Sequence, residues 1–189
     1  MMPEKSHDDW ICSAFERFHG RLYEYVRRMV GDAHGAADVV QETYLRLCRE
    51  PKGNIEGRLP EWLFTVSRNC ALDILRKRKR QNETSVNYDA TEMLEFSDES
   101  DGGGLLKMLS TLPANQREVL YLKFQNDLSY HEISKITGHS ETYIGYLIHS
   151  GMKNLRGNLA VKNSNHSGER NGAAPPDTKK KNNRLAFLN

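Results

Sequence analysis

Positive charge and an aromatic side chain are concentrated between residues 58 and 80. This segment holds seven Lys or Arg residues against two acidic ones, and residues 76–80 are five consecutive cations. Cations bind phosphates with release of counterions, and Trp62 offers a face on which an unstacked base can stack. The pattern favours binding to a nucleic acid. The alternative is a solvated helix end, whose dipole favours cations, with Trp62 buried in the core.

A polar cluster of a different kind is formed by Asp38, Gln41 and Glu42. These residues lie largely off the apolar stripe of a helix predicted over residues 32–49. The stripe consists of Val40, Tyr44 and Leu47. Taken alone, the cluster is typical of the solvated side of a helix, and a binding surface is the alternative.

The sequence contains no arrangement typical of catalysis or metal binding. Its acidic residues fall in a predicted linker and on a helix surface, whereas the carboxylates of a Mg²⁺-dependent nuclease should converge. The seven histidines show no ligand spacing. Cys12, Cys48 and Cys70 form no CxxC pair, so we expect idle thiols in a reducing cytosol. We therefore expect no catalytic residue, no metal and no cofactor.

The composition indicates small helical units with much solvated surface. The chain has 189 residues, of which 28% are charged and 38% hydrophobic, and its mean hydropathy is −0.71. That length allows one domain or two small ones. No window approaches the ~18 apolar residues of a membrane span, and the N-terminus lacks the apolar core of a secretory signal. We expect a cytoplasmic protein without membrane insertion.

The first 82 residues show three helical patterns and no convincing alternation at period two. The first helix ends near Gly31, and Asp32 is a plausible N-cap for the second. The third, over about 60–80, has Pro60 in its first turn. The apolar stripe of the first helix consists of Phe15, Phe18, Leu22, Tyr25, Val26 and Met29, and that of the third consists of Leu63, Val66, Cys70 and Ile74. The side chains left nearer the surface of the third helix are Trp62, Arg68, Asn69, Asp73 and Arg76.

Residues 83–104 are expected to form a flexible acidic linker. Seven acidic residues and no Lys or Arg lie between 83 and 101, and three glycines follow. The linker divides the chain into a domain over 8–82 and another over 105–157. Residues 158–189 are expected to form a disordered basic tail.

The second domain carries the pattern of a helix-turn-helix. Leu112-Pro113 opens a helix whose apolar residues are Val119, Leu120, Leu122 and Phe124. Ser129 and Glu132 match a capping box, and Gly138 is placed to end the short helix that follows. Ser140 can cap the next helix, whose stripe is Ile144, Ile148, Gly151 and Leu155. In a helix-turn-helix the second helix enters the DNA major groove. An ordinary helical hairpin is the alternative.

Three motifs together resemble a bacterial RNA polymerase sigma factor of the extracytoplasmic-function (ECF) type. Residues 38–47 (DVVQETYLRL) are similar to the region-two helix that docks on the clamp of the polymerase's largest subunit. Residues 62–69 (WLFTVSRN), 71–73 (ALD) and 76–78 (RKR) are similar to the segment that melts and reads the −10 element. Leu112-Pro113, Gln116-Arg117, Leu128-Ser129-Tyr130 and Glu132-Ile133 are similar to the region-four domain that binds the −35 element.

The resemblance implies an all-α fold, with a region-two bundle of three or four helices and a region-four helix-turn-helix on a flexible linker. It also implies particular binding residues. Those expected to bind core polymerase are Asp38, Gln41, Glu42 and Arg46. Those expected to bind the −10 element are Asn54, Arg58, Trp62, Arg68, Asn69, Arg76 and Lys77, in the third helix and the loop from Lys52 to Leu59 before it.

The second helix of the helix-turn-helix departs from the family pattern, since Gly145 and Leu147 stand where Lys and Arg are common. We therefore expect weaker or differently specified −35 binding, with a modest dependence on salt. The residues expected to contact the −35 element are Arg117, Lys135, Ser140, Glu141, Thr142, Tyr143, Tyr146 and Lys153.

The expected function is a promoter-specificity subunit with no catalytic activity of its own. Its partners are the clamp of the largest polymerase subunit, the flap of the second subunit, double-stranded −35 DNA and single-stranded −10 DNA. The resemblance also implies an anti-sigma factor as a regulatory partner. The alternative function is a stand-alone helix-turn-helix regulator that does not contact polymerase.

Overall fold

The computed structural model describes residues 6–82 and 109–168, with side chains described to residue 157. These residues form helices and turns and contain no strand, in agreement with the predicted all-α class. The predicted acidic linker lies outside the described residues, as does the tail beyond residue 168.

Seven α-helices and one 3₁₀ turn make up the described ranges. They are α1 (His7–Val30), α2 (Ala33–Arg49), α3 (Lys52–Ile55), a 3₁₀ turn (Glu56–Arg58), α4 (Leu59–Asn82), α5 (Ala114–Phe124), α6 (Tyr130–Thr137) and α7 (Glu141–Gly168). The expected loop before α4 is wrong, because α3 and the 3₁₀ turn occupy it and bury Ile55. The tail assignment is also wrong over 158–168, where α7 continues past the expected domain end.

The N-terminal module consists of α1, α2 and α4, which pack around a shared core. α1 begins at a capping box formed by Ser6 and Asp9. Asp32 caps α2, as predicted, by accepting a hydrogen bond from the backbone N–H of Gly35 at 2.7 Å. Local capping chemistry therefore sets where α1 and α2 begin.

Two of the predicted apolar stripes need correction. Phe15 is 46% exposed, because it lies at the rim of the module, stacked on His19. In α4, Leu63 is buried, but the other members of its predicted stripe, Val66, Cys70 and Ile74, are only half-buried. The buried side of α4 instead includes Phe64, Ala71 and Leu72, and the Phe64 ring meets the Tyr25 ring of α1 edge to face.

The C-terminal module consists of α5, α6 and α7. The Ser129–Glu132 capping box is confirmed, and Gly138 ends α6 with a φ of 78°, which favours glycine. The predicted stripe of α7 is buried. Phe124 is the exception in α5: it is 60% exposed because it lies in the last turn, at the edge of the module.

The two modules are in contact, and their buried residues form one continuous core. α4 packs against α6, and the Tyr25 ring of α1 stacks on Tyr121 of α5 with 6.1 Å between centroids. Arg21 donates a hydrogen bond to the backbone carbonyl of Asn126. The sequence predicts two modules on a tether, and the structure adds that they dock through α1 and α4.

Candidate nucleic-acid interface

One exposed face of α2 is built by side chains three and four residues apart. Asp38 and Gln41 are exposed, and Leu45 beside them is 46% exposed. Glu42 accepts a hydrogen bond from Arg46 at 2.8 Å, which raises the pKa of Arg46. The four residues expected to contact polymerase therefore lie together on one surface. Leu45 was missed because it lies off the buried stripe.

An apolar groove runs beside this face, between α1 and α2. Phe15, His19, Tyr23, Tyr44 and Leu45 contribute to its walls. The Phe15 ring lies 5.0 Å from the Tyr44 ring, between centroids. The sequence assigned Phe15 and Tyr44 to the core, so the groove was not predicted.

A second exposed face runs along α4. Trp62 is half-buried against the core, Asn69 is exposed, and Arg76 and Lys77 are exposed one or two turns further on. Arg76 donates to Asp73 at 3.0 Å, and both side chains of this pair are exposed. The structure thus brings together Trp62, Asn69, Arg76 and Lys77, and Trp62 is neither fully buried nor fully exposed.

Two further predicted −10 residues lie where α4 begins. Asn54 and Arg58 are both exposed, on α3 and on the 3₁₀ turn. The guanidinium of Arg58 donates to the backbone carbonyl of Asn54 at 3.3 Å. This bond links the 3₁₀ turn to α3.

Arg68 corrects the surface placement expected from the sequence. It is 6% exposed, although the next residue along α4, Asn69, is exposed, and it donates to the two carboxylate oxygens of Glu118 at 2.7 and 3.3 Å. The hydroxyl of Tyr25 donates to Glu118 at 2.7 Å. Burial opposes the charged form of Arg68, but the Glu118 carboxylate outweighs burial and raises the pKa of Arg68. In this structure Arg68 holds the modules together and does not face solvent.

One cation of the 76–80 run has a structural role that the sequence did not reveal. Arg78 donates to the backbone carbonyl of Val30 at 2.8 Å and to the Asp32 carboxylate at 2.6 Å. A Cβ on Gly35 would lie 2.9 Å from the Arg78 guanidinium, so a larger residue there would displace the end of the Arg78 side chain. The Gly35 N–H, with a smaller contribution from Arg78, lowers the pKa of Asp32.

The outward face of α7 consists of exposed polar and aromatic side chains. Thr142, Tyr143 and Tyr146 are exposed, and the two tyrosine rings stack with 6.0 Å between centroids and 19° between planes. Glu141 contacts the Nδ1 atom of His131 at 2.8 Å, a tie to α6 that sequence reasoning missed. The Ser140 hydroxyl serves as the N-cap of α7, since it accepts a hydrogen bond from the backbone N–H of Tyr143 at 3.2 Å.

The cations predicted for the −35 element are not equivalent. Lys135 and Lys153 are exposed on α6 and α7. Arg117 is half-buried and donates to the backbone carbonyls of Ser110 and Leu112 at 3.0 and 2.9 Å. Arg117 therefore stabilises the turn that leads into α5, and its surface role stays a prediction.

Within the described ranges, neither a metal site nor a membrane span is present. There, no group of three or more His, Cys, Asp or Glu side chains is placed to hold a metal ion. None of the helices described between residues 6 and 168 combines the length and apolar character needed to cross a bilayer.

Known proteins match both modules. Residues 14–81 match the family model "Sigma-70 region 2", and residues 103–155 match "Sigma-70, region 4". The ECF RNA polymerase sigma factor SigM of Bacillus subtilis is 30% identical over 69% of this chain and 83% of its own length. SigE of Mycolicibacterium smegmatis, named in the same way, is 30% identical over 76% of this chain, which spans 59% of the length of SigE.

A solved structure shares the fold. The sigma factor RpoE of Bartonella quintana, crystallised with the anti-sigma factor NepR, aligns with a TM-score of 0.59 and 24% identity, covering 79% of this chain and 96% of that one. Both modules match family models of sigma-70 regions, and the two relatives at 30% identity are ECF sigma factors. The chain belongs to the ECF RNA polymerase sigma factors.

Proposed function

We propose that this chain binds core RNA polymerase, directs it to promoters with −10 and −35 elements, and promotes opening of the DNA. The observation that carries the proposal is the presence of two exposed faces of different chemistry in the N-terminal module, which border a groove lined by residues of α2 and α4, among them Glu42, Asp73 and Lys77. The face of α2 is polar and partly acidic, whereas the face of α4 is cationic and contains Trp62. A stand-alone DNA-binding regulator has no use for the first of these faces.

The α2 face is suited to a protein partner. It combines exposed carboxylates and amides with the half-exposed Leu45 and an adjoining apolar groove. An apolar centre with a polar rim is the usual anatomy of a protein interface. We assign Asp38, Gln41, Glu42 and Arg46 to the clamp of the largest polymerase subunit, with Leu45 at the centre.

The α4 face is suited to single-stranded DNA. Base stacking on an aromatic ring contributes ~1–3 kcal/mol per base, and nearby cations hold the backbone. Trp62 and Asn69 would receive an unstacked −10 base, and Arg76 and Lys77 would bind phosphates. Binding of the extruded base supplies the free energy for opening, so no catalytic residue and no cofactor is needed.

The C-terminal module is suited to duplex DNA. Its α6 and α7 form the helix-turn-helix, and the second helix of that motif enters the major groove. We assign it to the −35 element and to the flap of the second polymerase subunit. An anti-sigma factor remains a predicted partner.

The experiment mixes the full chain with core RNA polymerase and measures two things. A pull-down should recover a stable complex, and transcription from a genomic library should start at a limited set of sites. Binding to DNA without capture of polymerase would favour the stand-alone regulator. Cleavage of a labelled duplex in Mg²⁺ would indicate an enzyme, and we expect none.

A further inference from the structure

The face of α7 that the helix-turn-helix presents to DNA is aromatic and not basic. The segment from residue 141 to residue 152 contains no Lys and no Arg. Tyr143 and Tyr146 are 39% and 62% exposed, and their rings are already stacked on each other. The ring of His139 meets Tyr143 edge to face, with 5.1 Å between centroids. Two large side chains are thus held in defined positions on an exposed surface.

The base chemistry of the major groove limits what such a surface can read. Guanine is recognised by a bidentate Arg or Lys, and residues 141–152, which surround the two tyrosines, contain neither. Thymine presents a methyl group, which apolar side chains and the methyl of Thr recognise. Thr142, Tyr143 and Tyr146 offer apolar groups of this kind on one exposed surface.

The charges around the face indicate a nucleic acid and not a protein as its partner. Lys135 on α6 and Lys153 and Arg156 on α7 are exposed. Glu141, the acidic residue on this face, is held by His131 at 2.8 Å. Cations beside an apolar centre are suited to phosphates flanking a base contact.

We propose that Tyr143 and Tyr146 read thymine methyl groups, so that the −35 element of this sigma factor contains A·T pairs opposite them. This inference rests on the proposed function and names the base chemistry of its −35 site. Tyr146 is the principal reader because it is the more exposed of the two rings. Tyr143 supports it through the stacking contact.

The first experiment identifies the element and then deletes single methyl groups. The full chain with core polymerase selects promoters from a library that is randomised in both elements. In the selected −35 sequence, each thymine is then replaced by deoxyuridine, which removes only the methyl group. We expect A·T pairs in the element and a loss of about fourfold in holoenzyme affinity for each contacted methyl.

The second experiment assigns that loss to a side chain. At the thymine that Tyr146 contacts, Tyr146→Ala should lower the ratio of affinities for thymine and deoxyuridine promoters to about one, whereas Tyr146→Phe should keep the ratio because the ring remains. Phe124→Ala removes another exposed aromatic of the same module and serves as the control. Capture of core polymerase should be unchanged in all three variants.

The outcomes separate this inference from the function on which it depends. A G·C-rich −35 element, or equal affinity for thymine and deoxyuridine promoters, overturns the reading by tyrosine while leaving the sigma-factor function intact. Loss of polymerase capture in Tyr146→Ala would make the face a protein interface and would also overturn it. If the wild-type holoenzyme selects no promoter, the proposed function fails and this inference fails with it.

Discussion

The guanidinium of Arg68 on α4 and the carboxylate of Glu118 on α5 lie 2.7 Å apart, and 50 positions of sequence separate them. Both side chains are buried, and the hydroxyl of Tyr25 binds the same carboxylate. A buried charge that loses its partner is far more costly than a pair replaced by apolar groups. The pair therefore makes the contact between the two modules specific.

Replacing one member of this pair should weaken the docking of the modules. Glu118→Ala leaves the Arg68 charge buried without its partner, so we expect the folded, docked state to lose ~3–5 kcal/mol of stability. Two measurements are needed, because the variant can either unfold more easily or keep folded modules that come apart. Urea denaturation measures the free energy of unfolding, and the radius of gyration from X-ray scattering reports separation of the two modules. The double variant Arg68→Met/Glu118→Leu should recover most of the loss. Unchanged stability and size in Glu118→Ala would contradict the docking role.

The Asp32 carboxylate should make stability depend on pH in the acid range. The Gly35 N–H and Arg78 lower the pKa of Asp32 in the folded chain. The Asp32 carboxylate therefore contributes fully to stability above the ordinary carboxyl pKa of about 3.9. This contribution is lost as the pH falls through the lower pKa that Asp32 has in the folded chain. Asp32→Asn keeps a good N-cap but removes the charge. When the free energy of unfolding is measured between pH 2 and pH 7, it should fall less steeply with decreasing pH in the variant than in the wild type. An identical slope would contradict this account.

Two glycines of α7 should respond to alanine in opposite directions. A Cβ on Gly151 would lie 2.8 Å from the Leu120 Cδ1 atom, which is enclosed by the core, whereas a Cβ on Gly157 would meet nothing within 4 Å. Alanine favours a helix by up to ~1 kcal/mol over glycine, and overpacking costs ~1–3 kcal/mol. The midpoint temperature of thermal unfolding should be equal to or higher than that of wild type for Gly157→Ala, and lower for Gly151→Ala. The reverse order would show that Leu120 can move aside.

The exposed leucine of α2 should contribute strongly to polymerase binding. Leu45→Glu places a charge at the centre of the proposed interface, so we expect affinity for core polymerase to fall at least about tenfold. Phe124→Glu introduces the same charge at an exposed apolar residue of the other module and should have little effect. Competition binding with labelled wild type measures both. If both substitutions weakened polymerase binding equally, or if neither weakened it, the α2 face would not be the polymerase-binding surface.

Local signals were sufficient to predict most of the helices. The Asp32 cap, the Ser129–Glu132 box and the Gly138 end depend on residues close together in sequence, and all three are confirmed. Gly31 likewise ends α1, where it adopts a φ of 80°. Apolar spacing predicted the helix faces less well at the rims, where Phe15 and Phe124 are exposed.

Long-range relationships could not be obtained in the same way. Nothing in the spacing around Arg68 identifies Glu118 as its partner, because that contact depends on how two modules pack. The same holds for Arg78, whose partner Asp32 lies 46 positions away. Cations that look equivalent in the 76–80 run are therefore divided by tertiary structure into an exposed surface residue, Arg76, and a structural one, Arg78.

The most direct test of the central claim is the extent of promoter opening by the reconstituted holoenzyme. Trp62→Ala and Arg76→Ala remove the base-stacking ring and a cation of the α4 face, and Arg17→Ala removes an exposed cation of α1 as the control. Reactivity of unpaired −10 thymines to permanganate reports the open complex. We expect at least about tenfold less opening for the two α4 variants, with polymerase capture retained and the control unaffected. Undiminished opening in both variants would contradict it.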